Sequence, residues 1–255
     1  MTAGMQIVRF KTDTQTSYGA LEGCDVVEYS GTPWGPFRRG RRRVPLKHAV
    51  LLAPAVPSKI VVVELNHRCH ATETAGTAPA EPRFFLKPTT TLAGPDDPIV
   101  YPPLSALVEH GAGLAVVIKR RCRNVPAERV REYVLGYTCL NDVTARDLAS
   151  KGFWLRAKAF DTFCPLGPCI ATDIDPDAVV IETFVNGGLR QSSSTKELIY
   201  PVDEIVARIA QVMTLLPGDV VVTGTPDGTG PLEPGDRVEV RIEGIGSLKN
   251  TVVKF

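Results

Sequence analysis

The sequence predicts an α+β fold in which many short strands outnumber a few short helices. Three observations predict it. Glycine (22 residues) and proline (21) are abundant among the 255 residues, which favours frequent turns over long helices. Apolar, β-branched runs such as residues 59–65 (KIVVVEL) and 114–118 are short and end in polar segments, as buried strands do. A clear helical stripe occurs at residues 202–216, where Ile205, Ile209, Val212, Met213 and Leu216 recur at helical spacing.

Residues 1–55 read as a small β domain, with strands at 6–10, 17–21 and 26–29 separated by turn residues. Arg38, Arg39, Arg41, Arg42 and Arg43 then cluster around Gly40. The cluster has no interleaved aromatics and the chain carries a net charge of +1. It therefore reads as an exposed loop, or an edge against an anionic group, rather than a nucleic-acid surface. Residues 56–255 form the second, larger domain. The strand at 59–65 runs into the polar segment 66–73, and residues 74–82 are rich in Gly, Ala, Thr and Pro, as a lid would be. Phe84, Phe85 and Leu86 return to strand and end at Lys87. Pro126 opens a short helix with Val130 and Val134 at helical spacing. Residues 136–140 lead into Asn141 and Asp142, and residues 179–190 read as a hairpin around Asn186, Gly187 and Gly188. Pro217 and Gly218 stop the helix, and short strands follow to Phe255.

Several classes of function are excluded or disfavoured. No run of eighteen apolar residues is present, so no membrane span is expected. The first ten residues read as a strand, not a secretory signal. The six cysteines form no CxxC pair and sit mostly beside apolar residues, which favours reduced, buried thiols in a cytoplasmic protein. The alternative is a disulfide between Cys164 and Cys169. No P-loop, dinucleotide fingerprint or HExxH motif occurs, so no nucleotide or nicotinamide cofactor is indicated.

Polar groups gather at the ends of apolar strands: His70 and Glu73, Lys87, Asp142 with Arg146, and Thr225. Strand ends facing one crevice are where mixed sheets collect ligands. The wording of these segments is distinctive. Asn-His-Arg-x-His-x-x-Glu starts at Asn66, Phe-Leu-Lys-Pro at Phe85, and Asn-Asp-Val-Thr-Ala-Arg-Asp at Asn141. Lys-Ala-Phe-Asp-Thr-Phe-Cys-Pro-Leu-Gly-Pro starts at Lys158, and Pro-Gly-Asp-Val-Val-Val-Thr-Gly-Thr-Pro at Pro217. In this order the segments resemble the fumarylacetoacetate hydrolase family from about residue 5 to the end.

The resemblance implies a mixed β-sandwich roll with a small N-terminal β domain, usually in a homodimer. It implies action on an enolisable 2-oxo or β-diketo acid by C–C cleavage, decarboxylation, tautomerisation or cyclisation. It assigns His70 and Glu73 to proton transfer and Lys158 to neutralising an enolate. It assigns Lys87, Arg146 and Thr225 to substrate contacts. In that family Mg²⁺ is held by a Glu-x-Glu pair and by the aspartate that matches Asp142. Here Gly111 and Gly113 replace both glutamates. One carboxylate holds Mg²⁺ poorly, so no cofactor is expected. Mg²⁺ or Mn²⁺ would bind only in a site rebuilt with Glu64 or Glu109, or with His67 or His110 for a softer metal. A metal-free isomerase, cyclase or decarboxylase fits these losses best. The alternatives are a non-catalytic or partner-dependent subunit paired with a metal-competent homologous chain, and a binding protein for a small acidic ligand.

Overall fold

The computed structural model describes residues 4–13, 15–69, 79–149 and 154–255. Strands β1 (Gln6–Lys11), β2 (Thr16–Glu22), β3 (Asp25–Gly31) and β4 (Phe37–Pro45) follow one another as an antiparallel meander. After β5 (Val50–Leu52) the chain enters β6 (Ile60–Glu64), β7 (Arg83–Lys87), β8 (Leu92–Ala93), β9 (Ile99–Tyr101), β10 (Val108–Glu109) and β11 (Ala112–Ile118). Next come β12 (Val134–Asn141), β13 (Thr144–Ala145), the one-turn helix α1 (Leu155–Lys158), β14 (Cys164–Ala171), β15 (Val180–Val185) and β16 (Gly188–Ser194). The longer helix α2 (Val202–Val212) precedes β17 (Val220–Val222), β18 (Pro231–Leu232), β19 (Arg237–Ile242) and β20 (Gly246–Lys254).

These strands make a twelve-stranded sheet ordered β4-β3-β2-β1-β14-β12-β11-β17-β6-β7, with β5 on β1 and β8 on β14. A five-stranded sheet runs β16-β15-β19-β20-β9, and a three-stranded one runs β13-β10-β18. Most pairs are antiparallel, whereas β17–β6, β14–β8 and β20–β9 are parallel, so the sheets are mixed. The N-terminal meander is hydrogen-bonded into the large sheet where β1 meets β14. A core of Val116, Ile118, Ile181, Ile205, Ile209, Val240 and Ile242 joins the large sheet, α2 and the five-stranded sheet. Strand β11 is buried along its whole length, as its unbroken apolar sequence requires.

Three expectations change in detail. The helix read over residues 202–216 ends at Val212, because Met213 is extended and Leu215 exchanges two backbone hydrogen bonds with Cys122. A β-bridge therefore takes over the last third of the apolar stripe, leaving Val212 and Leu216 exposed. The segment after Pro126 is a 3₁₀ helix, Ala127–Tyr133, and Val134 already belongs to β12. The arginine cluster is neither a loop nor a free cationic patch. It lies on edge strand β4, where Arg39 and Arg43 pair with Glu22, and Arg42 with Glu28. Cys164 and Cys169 form no disulfide, and with Cys122 and Cys139 they are buried thiols.

Candidate active site

The site forms where four connections of the large sheet converge. The end of β7 supplies Lys87, the turn after β12 supplies Asp142, α1 supplies Lys158, and the loop after β17 supplies Thr225. Asp142 is placed by its own backbone, whose N–H donates to the Gly111 carbonyl at 2.7 Å. Asn141 fixes the same junction from the side, its Oδ1 accepting from the Gly111 N–H at 2.9 Å.

The Asp142 carboxylate is the hub. Lys87 Nζ donates to Oδ1 at 2.6 Å and Lys158 Nζ to Oδ2 at 2.5 Å. Burial pushes this carboxyl up, but the two ammonium charges overcome that and hold it below its ordinary value. Lys87 also donates to the carbonyls of Val143 (3.2 Å) and Phe163 (2.8 Å). Its three N–H bonds are thus all spent inside the protein and its side chain is fully buried. This differs from the substrate contact that the resemblance implies: Lys87 holds Asp142 and has no donor left for a ligand.

Lys158 is different. It donates to Asp142 and to Thr144 Oγ1 at 2.8 Å, so one of its three N–H bonds has no acceptor among the described residues. The ammonium also lies 5.1 Å from the centre of the Phe85 ring and 5.3 Å from that of Trp154. Burial lowers its pKa to about 8, against the opposing pull of Asp142. Arg146 pairs through Nε with Glu109 Oε2 at 2.6 Å and lies beside the Trp154 ring. Its remaining guanidinium donors have no acceptor among the described residues. Thr225 is half-buried, and its Oγ1 lies 3.5 Å from where a Cβ on Gly111 would stand.

The structure thus brings Lys87, Asp142, Arg146 and Lys158 together and sets Thr225 beside Gly111. His70 and Glu73 lie outside the described residues. Tyr200 ties both flanks of that stretch. Its backbone N–H donates to Asn66 Oδ1 at 2.9 Å and its hydroxyl to the Pro79 carbonyl at 2.7 Å. Sequence reading missed the Phe85–Trp154 wall and Gln191. One of only two tryptophans in the chain deserved weight on composition alone, but a glutamine inside a polar strand carries no signal.

The described donor set does not suit a hard divalent cation. Such an ion needs about six oxygens, and no three ligating groups converge among the described residues. Asp142 has a lysine on each oxygen, Glu109 is committed to Arg146, and Gly111 and Gly113 offer no side chain. A Cβ on Gly113 would meet the Gly224 carbonyl oxygen and Val222 Cγ1, each at 2.9 Å, so the backbone also packs closely there.

Comparison with known proteins identifies the relatives. Residues 59–253 match the family model for the fumarylacetoacetate (FAA) hydrolase C-terminal domain, and residues 5–54 match an Rv2993c-like N-terminal model. The mitochondrial oxaloacetate tautomerase Fahd2a of Rattus norvegicus is 38% identical over 82% of this chain and 71% of its own. The structure of 5-carboxymethyl-2-hydroxymuconate delta-isomerase from Mycobacterium smegmatis superposes with a TM-score of 0.92 at 44% identity, covering 98% of this chain and 100% of that one. Maleylpyruvate hydrolase from Sphingobium sp. SYK-6, solved with manganese(II) and pyruvate, gives a TM-score of 0.81 at 30% identity, covering 98% of this chain and 99% of that one.

Proposed function

The chain belongs to the fumarylacetoacetate hydrolase family and is an enzyme of it, and we propose that it shifts a proton between carbon and oxygen of an enolisable 2-oxo acid without a bound metal. The observation that carries this reading is the free N–H of Lys158, held by Asp142 beside the open Arg146 guanidinium. In such a reaction a base removes a proton from C3 of the keto acid. The C–H electron pair becomes the C2–C3 double bond, and the carbonyl pair moves onto oxygen. Lys158 donates to that developing oxyanion while Arg146 anchors a carboxylate. A proton then returns to oxygen to give the enol. His70, oriented by Glu73, is the motif's candidate for the base.

Two relatives support the choice of proton transfer over hydrolysis: one is named an oxaloacetate tautomerase and the other an isomerase. No step needs an activated water. The test is keto–enol exchange of oxaloacetate, followed by ultraviolet absorbance, with protein dialysed against chelator. Catalysis that survives chelation and is lost in both His70→Ala and Lys158→Met supports the reading. Full turnover in His70→Ala would overturn the assigned base.

A homodimer completes the proposal. Exposed Pro103, Leu104 and Phe255, with half-buried Phe160, line a cleft of about 700 Å³ and favour association. Light scattering of the purified protein decides it.

A further inference from the structure

We propose that Gln191 is a positioning residue that turns the Thr225 hydroxyl into a hydrogen-bond donor for the anionic oxygens of the bound oxo acid. This rests on the proton-transfer reading above. Gln191 stands on β16 with its side chain buried. Its amide orientation is fixed by partners that allow no choice. The Ala112 N–H can only donate, and it lies 3.0 Å from Oε1. The carbonyls of Pro226 and Asp227 can only accept, and they lie 2.9 and 3.3 Å from Nε2. Nε2 must therefore carry the hydrogens that face the loop after β17.

Thr225 Oγ1 lies 3.0 Å from that same Nε2, so it accepts. Its own hydrogen is left over and has no acceptor among the described residues. The hydroxyl borders the space above Gly111, which is also bounded by the Asp142 main-chain oxygen. A donor there complements Lys158 and Arg146 in gripping an anion.

Behind Gln191 the arrangement is equally directional. Oε1 also accepts from Thr183 Oγ1 at 2.8 Å and lies 3.1 Å from His110 Nδ1. Facing an acceptor, Nδ1 must bear the hydrogen, which leaves Nε2 of this buried imidazole as a bare acceptor with no partner among the described residues. Three donors converge on one oxygen and polarise the amide, strengthening the bond that Nε2 donates to Thr225.

The test uses oxalate, a planar mimic of a 2-oxo acid enolate, titrated by calorimetry. In the whole protein, Thr225→Val should weaken oxalate by at least about tenfold, the worth of one hydrogen bond to a charged group. Thr225→Ser, which keeps the hydroxyl, should bind as the parent does. Gln191→Met should weaken oxalate comparably in the parent and add nothing in the Thr225→Val background. An equal further loss in that background would overturn the proposal, because Gln191 would then act without Thr225. Gln191→Met strips several buried partners, so a second readout guards against misfolding: the Gln191 side-chain amide resonance should move in free Thr225→Val. An unmoved resonance also overturns the proposal. If the parent protein does not bind oxalate, the proton-transfer reading fails and the proposal with it. That result is recognisable because the amide resonance still responds to Thr225→Val.

Discussion

The ammonium of Lys158 meets Asp142 Oδ2 at 2.5 Å, while Lys87 occupies the other oxygen of the same carboxylate at 2.6 Å. One buried acid thus balances two buried bases, and the trio carries a net positive charge. Lys87 is the closed half of this arrangement, with every donor used. Lys158 is the open half, with one donor to give. A carboxylate surrounded in this way orients the Lys158 ammonium for an anionic ligand.

Removing the closed half should damage folding before it damages chemistry. Lys87→Met leaves Asp142 Oδ1 and the carbonyls of Val143 and Phe163 without their donor in a buried setting. Breaking one partner out of a buried ion pair costs about 3–5 kcal/mol. Urea unfolding of parent and variant measures this directly. A loss under about 1 kcal/mol would show that the triad is not a structural unit, since that is the scale of an exposed pair.

The same geometry bears on metal. A divalent cation at Asp142 would have to displace an ammonium from one oxygen, and no three ligating groups converge among the described residues. Calorimetric titration with Mg²⁺ or Mn²⁺ should show no stoichiometric binding at millimolar ion, and chelation should leave tautomerisation unchanged. Tight binding that disappears in Asp142→Ala would mean that the lysines give way to a rebuilt site.

How far the sequence foretold this site depends on how local each signal was. Strands β6, β11 and β17 were readable because each is a continuous apolar run whose burial needs no distant information. Strand β14 was not, because Cys-Pro-Leu-Gly-Pro reads as a turn. Pro168 is accommodated in this central strand where its pairing with β12 shifts register between Tyr137 and Cys139. The motif order pointed to Lys87, Asp142, Arg146 and Lys158, which the fold brings together. It could not reveal that Lys87 turns all its donors inward, because Val143 and Phe163 supply carbonyls, which every residue has. Gln191 escaped for the same reason: its role is set by a neighbouring sheet.

Gly111 and Gly113 should respond differently to added volume. A Cβ on Gly113 would sit 2.9 Å from both the Gly224 carbonyl and Val222 Cγ1, whereas one on Gly111 comes no closer than 3.2 Å to Asp142 O. Overpacking of a tight core costs about 1–3 kcal/mol. Gly113→Ala should therefore lose stability in that range and Gly111→Ala clearly less, as thermal and urea unfolding would report. The reverse ranking would contradict the close approach of β11 to the loop after β17.

Asp219 offers a control whose hydrogen bonds go to none of the site residues. It is fully buried and accepts from the Ser58 N–H and hydroxyl, the Lys59 N–H, the Leu216 N–H and, at 2.5 Å, from Lys59 Nζ. Asp219→Ala strands these donors and should cost about 3–5 kcal/mol. Any folded fraction should keep its affinity for oxalate. Weaker oxalate binding in folded Asp219→Ala would show that the start of β17 reaches the site.

Titration of Lys158 gives the last prediction, with opposite signs for activity and stability. Burial lowers its pKa from 10.5 to about 8 in the folded chain, with Asp142 pulling the other way. As an oxyanion donor it works only while protonated. The Lys158 contribution to turnover should therefore be level below about pH 8 and fall as pH rises through that value, leaving any acid limb to the base. Stability moves the other way. Because the folded protein gives up this proton more readily than the unfolded chain, the Lys158 contribution disfavours folding below pH 8 and is relieved between about 8 and 10.5. Lys158→Arg keeps its charge throughout this range, so any residual turnover should lose the alkaline fall. An identical fall in that variant would assign the limb to another group and leave Lys158 a positional role alone.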